Sequence, residues 1–181
     1  VKSALYATEI SFSSTGNEFL IFKDPKFEIR RAEDGSLLSS FSAATRVTAF
    51  DISPDGTLVA VAVSSSDFIS TDLEIYALAS GELFSVIQSA HEMVVQALKF
   101  SPDGTQIISG AHDKSVKIWN LADGSLDSSF LAQNAEITCM AVSGSGQYIV
   151  TGSLGTDREV NVWTFEGQKI ATIQKNFNHC Y

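Results

Sequence analysis

The chain has 181 residues, a formal net charge of −9 at neutral pH and a pI near 4.7. That charge argues against nucleic acid and anionic membrane surfaces as partners, because both reward clustered Lys and Arg, and the basic residues here stand singly or in the pair Arg30-Arg31. Two cysteines provide no disulfide framework and favour a reducing compartment, cytoplasmic or nuclear.

From the N-terminus, the chain reads as one unit written four times. The first unit, over about residues 4–42, opens with a strand whose Ile10 and Phe12 share a face. It turns at Ser13-Ser14-Thr15-Gly16, carries Phe27 and Ile29 on one face of its third strand, and turns again at Gly35 into Ser36-Leu37-Leu38. The second unit, 43–90, repeats this order with Phe50 and Ile52, Ser53-Pro54-Asp55-Gly56, Leu73 and Ile75, and Gly81 before Glu82-Leu83-Phe84. Its second strand, Leu58 to Val63, is apolar at every position, as befits a mid-sheet strand covered on both faces. The third unit, 91–132, has Leu98 and Phe100, Ser101-Pro102-Asp103-Gly104, Val116 and Ile118, and Gly124. The fourth, 133–174, has Met140 and Val142, Ser143-Gly144-Ser145-Gly146, Val160 and Val162, and Gly167. Residues 175–181 read as entry into a further unit, since Cys180 lies 41 residues after Cys139.

The residues that close the first strands (Phe12, Ile52, Phe100, Val142) are 40, 48 and 42 residues apart. Period-two apolar spacing predicts half-buried to fully buried strands, and no segment sustains a helical period. The Gly of each turn sits where φ must be positive, and Pro54 and Pro102 preset the preceding corner. The longest uncharged run, Ile137 to Thr156, contains four Gly with Ser-Gly-Ser-Gly near its centre, so it reads as two strands rather than a membrane span. The fold class expected is all-β, with four consecutive four-stranded antiparallel sheets.

These anchors, with His91 early in the third unit and Trp119-Asn120 late in it, resemble the WD-repeat β-propeller family, whose repeats run about 40–45 residues. The resemblance covers roughly Tyr6 to Ile173. It implies four blades of a seven- or eight-bladed propeller. It also implies a hydrogen-bonded structural set of His91, Ser109, Asp113 and Trp119, because a buried indole, hydroxyl and imidazole are each costly when unpaired. Asp24 and Asp157 would stand where Asp113 does, with Ser70 in the second unit. Asn120 and Thr164 replace the Asp of the Trp–Asp pair, Arg30 and Tyr76 replace the Trp, and only the third unit has the His. Three of the blades are therefore expected to be held mainly by apolar packing. The family's adaptor signature for ubiquitin-ligase docking, an Arg two residues after Trp–Asp, is absent.

Chemistry is sparse. His91, His112 and Asp113 form a weak metal donor set once His91 and Asp113 have structural roles, so no metal and no cofactor is expected. Glu9, Asp51 and Lys99 on the innermost strands read as isolated charges along a solvated channel, and no Ser sits in a nucleophile turn. Cys139, which aligns with Ala49 and Ala97, reads as a small core residue. An enzyme is not expected.

The function expected is a protein–protein interaction scaffold that binds peptides or protein surfaces through loops. Candidate contacts are Phe68 in the serine-rich extension Ser64 to Ile69, Arg158 in a smaller extension, and, from family geometry, Arg46, Met93, His112, Glu136 and Thr156. Two alternatives accompany this reading. One is a self-assembling half-propeller forming an eight-bladed homodimer. The other is the sensor portion of a larger chain whose enzyme domain lies elsewhere.

Overall fold

The computed structural model describes residues 9–13, 16–23, 25–43, 45–153 and 159–174. Among them are four antiparallel sheets, each built from four strands in chain order. The first holds β1 (Glu9–Phe12), β2 (Glu18–Lys23), β3 (Lys26–Arg31) and β4 (Leu37–Ser42). The second holds β5 (Arg46–Ile52), β6 (Leu58–Ser64), β7 (Thr71–Ala77) and β8 (Leu83–His91). The third holds β9 (Val95–Phe100), β10 (Gln106–Ala111), β11 (Ser115–Asn120) and β12 (Leu126–Leu131). The fourth holds β13 (Ile137–Val142), β14 (Tyr148–Ser153), β15 (Glu159–Thr164) and β16 (Lys169–Gln174). The first strands come together: β5 lies against β9, and β9 against β13. These are blades of a propeller, with a partial ring of inner strands and the fourth strands outermost.

The turns follow from their chemistry. Ser53 Oγ donates to Asp55 Oδ1 at 2.6 Å and accepts from Leu58 N at 2.9 Å, and Asp55 accepts from Thr57 N at 3.0 Å. Ser101, Asp103 and Gln106 repeat this set, and Gly104 takes φ of 73° to close the turn. A second regularity was not legible in the sequence. In every sheet the ladder between third and fourth strands shifts at the same place: Ile29/Arg30, Ile75/Tyr76, Ile118/Trp119 and Val162/Trp163. A bulge there twists the strand and re-aims the residue after it.

The core lies between blades rather than within one. Val59, Val61 and Val63 of β6 join Leu20, Phe27, Phe41 and Tyr76 between the first and second sheets. Ala60 and Ala62, on the opposite face of the same strand, join Leu73, Leu98, Ile107 and Trp119 between the second and third. Ile108, Ile118, Ile137, Ile149 and Trp163 fill the next interface. The first interface is aromatic: Phe27 and Phe41 stack with centroids 4.8 Å apart, and Phe41 stacks on Tyr76 at 4.4 Å.

Several expectations need correction. Ile10 and Phe12, expected on a half-buried or buried face, are 59% and 62% exposed. Cys139 is not a core residue but exposed. The ladder shifts between Ile137 and Cys139, leaving Ile137 and Met140 inward and Cys139 beside Ala49 and Ala97 in a cleft along the inner strands. Asp51 and Lys99 are not isolated charges. Lys99 Nζ meets Asp51 Oδ1 at 2.7 Å, and Phe100 N donates to Asp51 Oδ2 at 2.9 Å, tying β5 to β9. The side chain of Glu9 and all of Asp24, Asp157 and residues 175–181 lie outside the described residues.

Candidate partner-binding rim and its hydrogen-bonded frame

His91 is the last residue of β8, so by strand position it belongs to the second sheet, while its ring reaches the third. His91 Nδ1 lies 2.7 Å from Asp113 Oδ2 and its Nε2 lies 2.8 Å from Ser109 Oγ. Trp119 Nε1 donates to the same Ser109 oxygen at 2.9 Å. An ionised carboxylate only accepts, so Nδ1 carries the proton toward Asp113. In a neutral ring Nε2 then accepts from the Ser109 hydroxyl, whose oxygen takes the indole N–H. His91, Ser109 and Trp119 are buried. Burial works to raise the Asp113 carboxyl, but hydrogen bonds from His91 and Ser115 outweigh it and hold the carboxyl at about 2.

The fourth blade carries a polar frame of its own, beside the apolar packing expected to be its main support. Trp163 Nε1 donates to Thr151 Oγ1 at 3.0 Å, and Gln133 Nε2 donates to that oxygen at 2.9 Å and to Thr151 O at 3.0 Å. Asn161 Nδ2 donates to Gln133 Oε1 at 2.8 Å, and Asn161 Oδ1 accepts from Thr172 Oγ1 at 2.6 Å. Gln133 stands where His91 does and Thr151 where Ser109 does, each 42 residues on. That shared offset was the available signal, hidden because Gln and Thr do not match the family's residue types. The second blade has Val61 at the ladder position of Ser109 and Tyr76 at that of Trp119, and Tyr76 OH turns instead to Glu74 Oε2 at 2.6 Å.

The frame supports one edge of the blades. The entries to β5, β9 and β13 and the loops from β6 to β7 and from β10 to β11 all open there, because antiparallel pairing brings Arg46 opposite Ser64 and Ser64 opposite Thr71. Phe68, in the extended loop, takes φ of 62° and is 41% exposed. The guanidinium of Arg46, the first residue of β5, sits over its ring, 5.0 Å from the centroid. The loop is braced from within: Ser65 Oγ donates to Asp67 Oδ1 at 2.6 Å, and Phe68 N donates to Ser65 O at 3.0 Å.

Met93, 40% exposed, is anchored through its carbonyl, which accepts from Thr71 Oγ1 of the neighbouring blade at 2.9 Å. His112 donates its backbone N–H to Val94 O at 2.9 Å, and its Nδ1 lies 3.8 Å from Glu136 Oε2, reaching the fourth blade. Thus Arg46 and Phe68 touch, His112 and Glu136 approach, and Met93 stands on the same edge. Thr156 and Arg158 lie outside the described residues. Among the described residues, no group of three or more His, Cys, Asp or Glu is placed to hold a metal, and no helix is long and apolar enough to cross a membrane.

Comparison with known proteins agrees with this architecture. The family described as "WD domain, G-beta repeat" matches residues 35–69, 82–120 and 124–164, more than half of the chain. The 82–120 match runs from β8 to β11, so the family's repeat is offset from the sheets by one strand. The methylosome protein WDR77 of Xenopus laevis is 30% identical over 174 residues, 93% of this chain and 48% of that protein. The small ribosomal subunit protein RACK1 of Drosophila melanogaster is 31% identical over 96 residues, covering 51% of this chain and 30% of its own length. A periodic tryptophan protein 2 homolog of Neurospora crassa is 27% identical over 125 residues, 69% of this chain and 13% of that protein. The chain spans about half the length of the Xenopus relative and less of the others. With its blade geometry and these matches, the chain belongs to the WD-repeat family of β-propellers, whose repeats build protein-interaction scaffolds.

Proposed function

We propose that this protein seats a peptide or protein surface on the rim that carries Arg46, Phe68, Met93, His112 and Glu136, and that Thr156 and Arg158 also contact the partner. The observation that carries the reading is the Arg46–Phe68 pair. A half-exposed aromatic ring in the left-handed region, on a braced loop and under a guanidinium, is an anchor held ready for a partner. A rigid frame beneath adaptable loops is the usual design of binding proteins. The mechanism is pre-organised binding with no bond-making step, in the cytoplasm or nucleus. The Xenopus relative is named a methylosome protein, and a place beside other proteins is the kind of work proposed here.

Panning a random peptide library on the protein tests this. Selected peptides are expected to bind the wild type and to lose most of their affinity for an Arg46→Ala/Phe68→Ala double variant of unchanged melting temperature. Peptides that bind both equally would contradict the rim assignment.

A second reading, self-assembly, draws on the exposed apolar residues of the first and fourth described blades, Ile10, Phe12, Ile170 and Ile173. Light scattering across a concentration series separates the two. A stable species of twice the chain mass favours self-assembly, and a monomer at every concentration counts against it.

A further inference from the structure

The edge opposite the rim has a different character. No Lys or Arg occurs between Arg46 and Lys99, nor between Lys117 and Arg158. The turns and strand starts of that edge carry Asp55, Glu82, Asp103, Asp123 and Asp127 instead. Between the second and third sheets this edge holds an open groove of about 520 Å³, floored by Leu58, Leu121 and Ala122 and walled by Phe84. Phe84 is 61% exposed and its neighbour Leu83 is 53% exposed. Asp127 lines the groove and accepts from Gln106 Nε2 at 2.8 Å, its other oxygen having no partner among the described residues. No cationic side chain lines it.

We propose that this groove is a second docking site, taking a short segment of a protein partner that sets an apolar side chain against Phe84 and Leu121 and a Lys or Arg beside Asp127. Charge complementarity selects that occupant. An acidic segment, or a second copy of this chain with its net charge of −9, would bring like charge to a rim without a cation. The apolar floor supplies the area to be covered, and the carboxylates decide what may flank it. The groove lies on the edge away from Arg46 and Phe68, so a partner could occupy both edges together.

The test is fluorescence anisotropy with a labelled peptide carrying Leu-Phe-Leu between paired arginines, beside the same peptide with glutamates in place of the arginines. The arginine peptide is expected to bind saturably, and Phe84→Ala to weaken it at least about tenfold, as a central aromatic anchor does. Asp127→Lys should reverse the preference between the two peptides, and raising the salt should weaken the arginine peptide. Phe84 and Asp127 are both exposed, so an unchanged melting temperature verifies that each variant is folded. Equal binding of the two peptides, wild-type affinity in folded Phe84→Ala, or no saturable binding at all would each overturn the proposal.

Discussion

Ser109 Oγ serves two buried partners at once, the Trp119 indole and the His91 ring, and the consequences of removing either side differ. Trp119→Ala removes a large buried ring and is expected to cost about 3–5 kcal/mol in denaturant unfolding. Thr151→Val in the fourth blade keeps the volume and removes the oxygen that Trp163 and Gln133 share, leaving the buried Trp163 N–H unpaired and Gln133 Nε2 with only the Thr151 carbonyl. It is expected to cost about 1–3 kcal/mol. A cost near zero would mean that packing alone holds that blade.

Acid stability separates the two frames further. The folded Asp113 carboxyl is depressed from 3.8 to about 2, so its contribution is complete above the unfolded value and is lost as pH falls through that interval. Asp113→Asn should therefore flatten the fall in melting temperature between about pH 4 and about pH 2. The turn residues Asp55 and Asp103, lowered chiefly by hydrogen bonds from Ser53 and Ser101, remain in both proteins and cancel in the comparison. Thr151→Val should leave that slope as it is, because the residues it disturbs do not titrate.

Among the elements, the loop from β6 to β7 combines a strained φ at Phe68 with internal hydrogen bonds, a conformation not required by the strands it joins. Alanine at Arg46 and Phe68 together is expected to change stability by less than about 1 kcal/mol, the scale of an exposed cation–π pair. Equilibrium unfolding checks this, and a larger loss would make the pair a structural brace.

Strand order, turn type and the apolar faces of β3, β5, β7 and β11 were legible because period-two spacing and Pro-Asp-Gly turns act locally. The contacts of Arg46 with Phe68 and of Asp51 with Lys99 were not, because they depend on how far a loop bends and on which neighbour a blade meets. Alignment with Ala49 and Ala97 gives Cys139 its place on the inner strand, and all three line one cleft after the same ladder shift, so how much of it stays exposed depends on the neighbours each blade meets. The polar frame of the fourth blade escaped because hydrogen-bond capacity, not residue identity, is what the 42-residue offset preserves.

Across the described blades, stability resides in the interfaces between them, since the second and third sheets each give one face to the blade before and one to the blade after. The joint between β5 and β9 adds a polar tie whose halves are unequal. Lys99 is solvent-accessible, so Lys99→Met should cost less than about 1 kcal/mol. Asp51→Ala also deprives Phe100 N of its carboxylate acceptor and should cost about 1–3 kcal/mol. Equal costs would mean that the ion pair, not the backbone contact, is what joins the blades.

The central claim is that a partner binds the edge carrying Arg46, Phe68, Met93 and His112, and hydrogen exchange with and without a library-selected peptide tests it most directly. The account predicts slowed exchange in the loop at 65–70, at 92–94 and around His112, with the outer strands β4, β8, β12 and β16 unchanged. Slowing confined to those outer strands or to the turns at 53–57 and 101–105, with the rim unaltered, would contradict it.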